Sequence, residues 1–321
     1  MEEENEGYEH FYDPTSHSGF LEDKLRNLRR NLRDDQRRYC KIGLGRGSSE
    51  ITVTLEEVTE GDEESAKQWI TVIKRMKPTP ENLSSIKMGM EKTYAHRRFW
   101  ITSQSPTVAD IFEHYPRFID MPYLIDKDFG EMFPGKADLF LRKWEATIVP
   151  KLLKLAALEK NVEGPPQPES AESKCFTALK MLTHYLPPTA SGRSQGWSKC
   201  SVKSALSYIL DVKPTGTSIN SLLESPETAT TVNQPCLVSL GHPSSAVQYV
   251  IIAATDRVVI PLQDEGLTCS LDKLFKLYWV CNLAYPLQVA AVFKFMEHLY
   301  GMQISGGKRS RIMKQTKLQV L

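Results

Sequence analysis

Apolar residues recur at helical spacing over most of this chain. Across residues 63–76, Ala66, Trp69, Ile70 and Ile73 share one face, and Pro78 and Pro80 stop the pattern. Leu83, Ile86 and Met90 continue it through 82–98. Residues 107–114 read as a capped helix, with Thr107 as N-cap, Asp110 as its N3 partner and Pro116 as its end. Residues 125–133 make a short turn or helix. The strongest helical pattern spans 136–159 and offers Leu139, Trp144, Ile148, Leu152, Leu155 and Leu158 to a core, with Pro150 predicted to kink or split it. Further helices are predicted over 174–186, ended by Pro187 and Pro188, and over 201–210.

The period then changes from helical to extended. Cys236–Leu240, 247–253 and 257–262 read as strands joined by turn chemistry, Gly241-His-Pro-Ser-Ser and Thr255-Asp256, which predicts an antiparallel meander. Two helices, 270–284 and 287–300, follow. The uncharged run 277–293 is too short for a membrane span and holds Asn282, Pro286 and Gln288, so it predicts a buried helix pair broken near Pro286, with Trp279 a large core aromatic. The expected fold is α+β and predominantly helical: a helical first domain, then a second domain of helices around a small antiparallel sheet. Its parts are a disordered acidic N-terminus (1–20), a basic helix with a Gly-rich link (21–48), a helical domain (49–160), a Pro-rich acidic linker (161–172), an α+β domain (173–303) and a basic tail (304–321). Residues 51–55 alternate, as a short strand or an extended tether would.

Composition narrows the function without naming it. Hydrophobic residues at 41% and charged residues at 25% are globular values, and the net charge of +1 argues against nucleic-acid binding over the whole surface. Charge is instead local. In 21–38, Leu21, Leu25, Leu28 and Leu32 line one helical face while Lys24, Arg26, Arg29, Arg30, Arg33, Arg37 and Arg38 cover the rest. Glu22, Asp23, Asp34 and Asp35 dilute that charge, so the arm reads as a solvated helix face, a nucleic-acid contact or import signal, or a membrane-surface helix. Lys308, Arg309 and Arg311 in the tail add a second basic segment. The polar, acidic start of the chain resembles neither a secretory signal nor a transit peptide, and an intracellular setting, nuclear or cytoplasmic, is expected.

The chain carries few chemical motifs. No Walker-type phosphate loop is present, and Gly43, Gly45 and Gly47 are out of register for a dinucleotide fingerprint. The six cysteines show no Cys-x-x-Cys and the seven histidines no His-x-x-x-His, so neither metal nor cofactor is expected. Asp126, Asp128 and Glu131 fall short of a calcium loop, and helix-end solvation or capping is expected of them. There is no Gly-x-Ser-x-Gly elbow, and no catalytic residue is assigned; a Cys/His pair met only in space stays open, and with it a cryptic hydrolase. Tyr94, His96, Arg97, Arg98, Phe99 and Trp100 mix aromatics with positive charge as single-strand binders do. The duller expectation is a helix end with Phe99 and Trp100 in the core and the arginines in water.

Several ordered blocks carry a resemblance. They are Ala95-His-Arg-Arg-Phe-Trp-Ile, Pro106-Thr-Val-Ala-Asp-Ile-Phe-Glu-His-Tyr-Pro-Arg-Phe, Asp128-Phe-Gly-Glu-Met-Phe-Pro-Gly and Lys143-Trp. Later come Tyr208-Ile-Leu-Asp, Pro214-Thr-Gly-Thr-Ser-Ile, Gln234-Pro-Cys-Leu-Val-Ser-Leu-Gly and Asn282-Leu-Ala-Tyr-Pro. Together they resemble the region C-terminal to the sterile alpha motif in sterile alpha motif domain-containing protein 3-like proteins, a vertebrate family abundant in fish. The sterile alpha motif itself is not seen here, so polymerisation through it is not implied. The resemblance implies a modular, non-enzymatic protein, an adaptor or a domesticated mobile-element product, with no catalytic or ligand residues to carry over. The leading expectation is a non-catalytic interaction protein with unidentified protein partners and no membrane. The alternatives are a nucleic-acid-associated protein using the arm, and the cryptic hydrolase.

Overall fold

A computed structural model describes residues 60–158, 170–188, 200–224, 234–244, 248–263 and 265–302. The N-terminal segment 1–20, the basic arm 21–38 with its Gly-rich link, the alternating run 51–55, most of the linker 161–172 and the basic tail from 304 lie outside them. So do Lys24, Arg26, Arg29, Arg30, Arg33, Arg37, Arg38, Lys308, Arg309 and Arg311.

The first half is a succession of helices: α1 (Glu60–Arg75), α2 (Leu83–Lys92), α3 (Tyr94–Gln104), α4 (Val108–His114), α5 (Arg117–Asp120), α6 (Tyr123–Met132) and α7 (Leu139–Lys143), then a π turn, Trp144–Ile148, and α8 (Val149–Leu158). The expected helix over 82–98 is two helices. Thr93 breaks it, its hydroxyl bonding back to Gly89 O at 2.8 Å and to Met90 O. The capping box is present, with Thr107 Oγ1 accepting from the Asp110 N–H and Asp110 accepting from the Thr107 N–H. Pro150 has no N–H to give Ala146, and the chain widens just before it: the Val149 N–H bonds Trp144 O, five residues back.

The second half runs α9 (Ala171–Tyr185), α10 (Val202–Ala205) with a 3-10 turn, β1 (Leu210–Lys213), α11 (Ile219–Glu224), β2 (Cys236–Leu240), β3 (Gln248–Ala253), β4 (Val258–Leu262), α12 (Leu267–Val280) and α13 (Ala290–Leu299). The expected strands β2 to β4 form an antiparallel meander. A fourth strand, β1, not expected from the sequence, starts at the last residue of the helix expected over 201–210 and pairs with β2 in parallel, so the sheet is mixed, in the order β1-β2-β3-β4. On one face Cys236, Val238, Leu240, Val250 and Ile252 pack with Leu222 of α11. On the other, β2 and β3 meet α12. Helix α12 is buried nearly all round, as its apolar character requires, and it breaks into α13 across Pro286. Trp279 is an exception to the expected core: it is half-buried, while Phe275 and Tyr278 on the same helix are fully buried. Among the described residues no helix is long and apolar enough to cross a membrane.

Residues 60–158 and 170–302 share buried contacts. Phe129 and Phe140 lie against Tyr300, Phe129 against Phe275, and Trp144 Nε1 donates to Cys175 Sγ at 3.2 Å. Two glycines allow close approach. A Cβ at Gly89 would lie 2.5 Å from Ile73 Cγ2 and 2.9 Å from Trp69 Cε3, so α1 and α2 touch through its bare backbone. One at Gly266 would lie 2.5 Å from Glu172 Oε1, the carboxylate that accepts the Leu267 N–H at the start of α12. Gly89→Ala is expected to lower stability by about 1–2 kcal/mol in urea unfolding. Overpacking against the fully buried Ile73 exceeds the gain of about 1 kcal/mol in helix propensity. Gly130→Ala on α6, where a Cβ meets nothing within 4 Å, should leave stability unchanged or raise it.

Candidate functional site

Helix α6 carries two acids to three buried basic partners. On one side Asp128 takes a bidentate pair of bonds from Arg97, Nε to Oδ2 and Nη2 to Oδ1, both at 2.7 Å. Arg97 also donates to Thr93 Oγ1 at 2.9 Å and Met90 O at 3.1 Å, and its guanidinium lies 4.8 Å from the Tyr115 ring and 5.4 Å from that of Phe118. Burial works against the Arg97 charge, but the Asp128 carboxylate outweighs it and holds the guanidinium above its ordinary value. Arg98 is buried too. Its Nη1 donates to Val280 O at 2.5 Å, at the carbonyl end of α12 where a cation is favoured. Burial nevertheless pulls its pKa below the ordinary value.

These positions correct the sequence expectation for this cluster. The arginines are inside, Phe99 is 53% exposed and Trp100 half-buried. Met90, Arg97 and Ile101 line the inward stripe of α2 and α3, so the phase was readable; the acid that makes burial tolerable lies 31 residues away and was not.

On the other side of α6, Asp126 receives Lys276 at 3.0 Å and Lys273. Lys276 also pairs with Asp272 at 2.5 Å, and Tyr300 donates its hydroxyl to Asp272. Both lysines are buried, Lys273 at 5% and Lys276 at 2% exposure. Burial pushes the Asp272 carboxyl up to about 6, against the pull of Lys276. Burial also opposes the Lys276 charge, which Asp272 and Asp126 restore and raise. Burial raises Glu265, which lies near Lys273. Asp126 and Asp128 are thus ion-paired, in place of the solvation or capping expected of them. The Asp272/Lys276 spacing of four residues was the one sequence signal for this cluster.

A cleft of about 290 Å³ opens beside the Arg97–Asp128 pair, lined by Lys87, Met90, Glu91 and Tyr94 on one side and Leu124, Lys127, Asp128 and Glu131 on the other. Lys127 and Glu91 bridge its rim at 3.1 Å, and burial pushes the Tyr94 hydroxyl up to about 12. The lining holds no thiol, serine or histidine. Elsewhere Cys175, Cys236 and Cys281 are buried, their thiols each pushed up to about 12 by burial. His242 and Ser244 do meet, Nδ1 to Oγ at 2.7 Å. Both stand exposed on a turn, and the same nitrogen accepts the Ser244 N–H at 3.2 Å, which is turn chemistry. Among the described residues no group of three His, Cys, Asp or Glu could hold a metal ion.

Fold and site together define a mainly helical α+β protein with its strongest charge pairs held inside. Residues 62–121, from α1 to just past α5, match a family model, that of sterile alpha motif domain-containing protein 3, helical domain. This stretch contains the inward arginines Arg97, Arg98 and Arg117. No curated protein and no solved structure matches the chain.

Proposed function

We propose that this chain is a non-catalytic protein-interaction protein, an adaptor working in the nucleus or cytoplasm. The observation that supports this is the internal commitment of its reactive groups: the buried thiols are held far from ionisation, Lys273 and Lys276 are spent on Asp126 and Asp272, and Arg97 on Asp128. Met88 and Tyr123 meanwhile stand exposed on α2 and α6, the helices that flank the cleft. Similarity of 62–121 to a helical domain from a modular family agrees with this. Proximity labelling with the full chain is expected to return a reproducible neighbour set that shrinks several-fold in Met88→Glu/Tyr123→Glu, with thermal unfolding unchanged. A set indistinguishable from that of the free labelling enzyme would overturn the proposal.

A second reading rests on charge in the sequence. Residues 21–38 hold seven basic side chains against four acidic ones, enough for weak, steeply salt-dependent contact with DNA or RNA. Replacing Arg29, Arg30 and Arg33 by Glu separates its forms: loss of salt-sensitive binding supports direct contact, and loss of nuclear signal alone supports import.

A further inference from the structure

The two edges of the sheet differ. Strand β4 packs against α4 and α5 and carries Pro261, which has no N–H to offer an incoming strand. Strand β1 holds no proline, and among the described residues no helix is seen packed over it as α4 and α5 are over β4. Leu237 N donates to Ile209 O and Gly241 N to Lys213 O, so the odd-numbered residues of this parallel ladder bond β2. Leu210 and Val212 therefore direct their N–H and C=O groups outward, and among the described residues those groups have no backbone partner. Val212 is 37% exposed, and Pro214, Thr215 and Gly216 beyond the strand are exposed too.

We propose that β1 pairs antiparallel with β1 of a second copy of this chain, centred on Val212. Charge selects this partner. Asp211 and Lys213 flank Val212 on the same face, 3.1 Å apart within the strand. A two-fold axis through Val212 places Asp211 opposite Lys213 of the other copy, and Lys213 opposite its Asp211. Parallel self-pairing would set like charges side by side. The centre is right for the backbone as well. The two Val212 residues exchange both of their outward N–H···O bonds, and the two sheets join into one of eight strands. A four-residue strand buries little area, so the dimer is weak and concentration-dependent. The inference rests on the interaction reading above and names one surface for it.

Sedimentation velocity of the full chain at physiological salt, over a range of concentrations, tests it. Wild type is expected to shift from monomer to dimer. Val212→Pro removes an outward N–H without touching the ladder to β2, so it is expected to stay monomeric with an unchanged unfolding temperature. Lys213→Glu alone leaves two acids facing two acids, and Asp211→Lys alone two bases facing two bases; each is expected to be monomeric. Their equimolar mixture is expected to dimerise, because every cross-strand pair is then opposite in sign. Wild type that stays monomeric, Val212→Pro that dimerises like wild type, or a mixture no more associated than its components would each overturn the proposal. A monomer whose Val212 amide becomes protected only when a separate strand-forming peptide is added would overturn it too, in favour of a foreign strand. None of these results would decide the neighbour set found by proximity labelling, so the two readings fail separately.

Discussion

Asp128→Ala is expected to destabilise the protein by about 3–5 kcal/mol, the cost of leaving one member of a buried ion pair behind. The size follows from what remains. Arg97 is fully buried, and its guanidinium cannot shed its proton to escape the interior as a lysine can. Thr93 Oγ1 and Met90 O would still accept from it, and the rings of Tyr115 and Phe118 would still face it, but none of these carries a negative charge. Asp128→Asn, which keeps an acceptor and loses the charge, should fall between wild type and alanine. The double change Arg97→Met/Asp128→Leu should recover most of the loss, because a well-packed apolar pair avoids desolvating two charges. Urea unfolding with an unchanged m-value is the measurement. A loss below about 1 kcal/mol for Asp128→Ala would place the pair in the class of solvated surface bridges and refute its role as an interior clamp.

That pair also marks where sequence reasoning reaches its limit. Local chemistry was legible: the Thr107/Asp110 box, the three strands of the meander, the stop at Pro187 and the break near Pro286 all appear where residue type and spacing put them. Each is decided by neighbours within a few positions. The misses share a different cause. Strand β1 is four residues, Leu-Asp-Val-Lys, and becomes a strand because β2, more than twenty positions on, offers it a parallel ladder. Arg97 and Arg98 turn inward for Asp128 and for Val280 O, which is 182 residues from Arg98. The long helix expected over 136–159 carries a π turn, a departure that Pro150 foretold without fixing its form. Trp279 showed the converse error, since an apolar run says that a helix is buried and leaves open which aromatic lies deepest. The resemblance was legible because it rested on ordered blocks, two of them, 95–101 and 106–118, inside the stretch that matches the helical-domain family.

Lys276→Met is expected to give the second large effect, and one that depends on pH. In the wild type, burial raises the Asp272 carboxyl from 3.8 to about 6, with Lys276 pulling the other way. An acid whose folded value lies above its unfolded value binds more protons in the native state, so its contribution to stability is present below about 4 and is lost as pH rises through about 6. Removing the ammonium removes the opposing pull. Asp126 then faces Asp272 with no Lys276 charge between them, and only Lys273 remains near Asp126. Both changes push Asp272 higher. The upper end of the window moves toward neutrality, and the penalty for ionising Asp272 keeps growing past the point where it levels off in the wild type. The stability gap between wild type and Lys276→Met should therefore be small near pH 4 and reach about 3–5 kcal/mol above pH 7. Asp272→Asn/Lys276→Met keeps an acceptor for Tyr300, has nothing at 272 to titrate and should flatten the gap. Unfolding midpoints from pH 4 to 8 decide the matter. A gap that stays flat, or widens on acidification, would overturn this account: losing a nearby cation can only raise the Asp272 carboxyl, so a titrating Asp272 makes the gap grow with pH and never shrink.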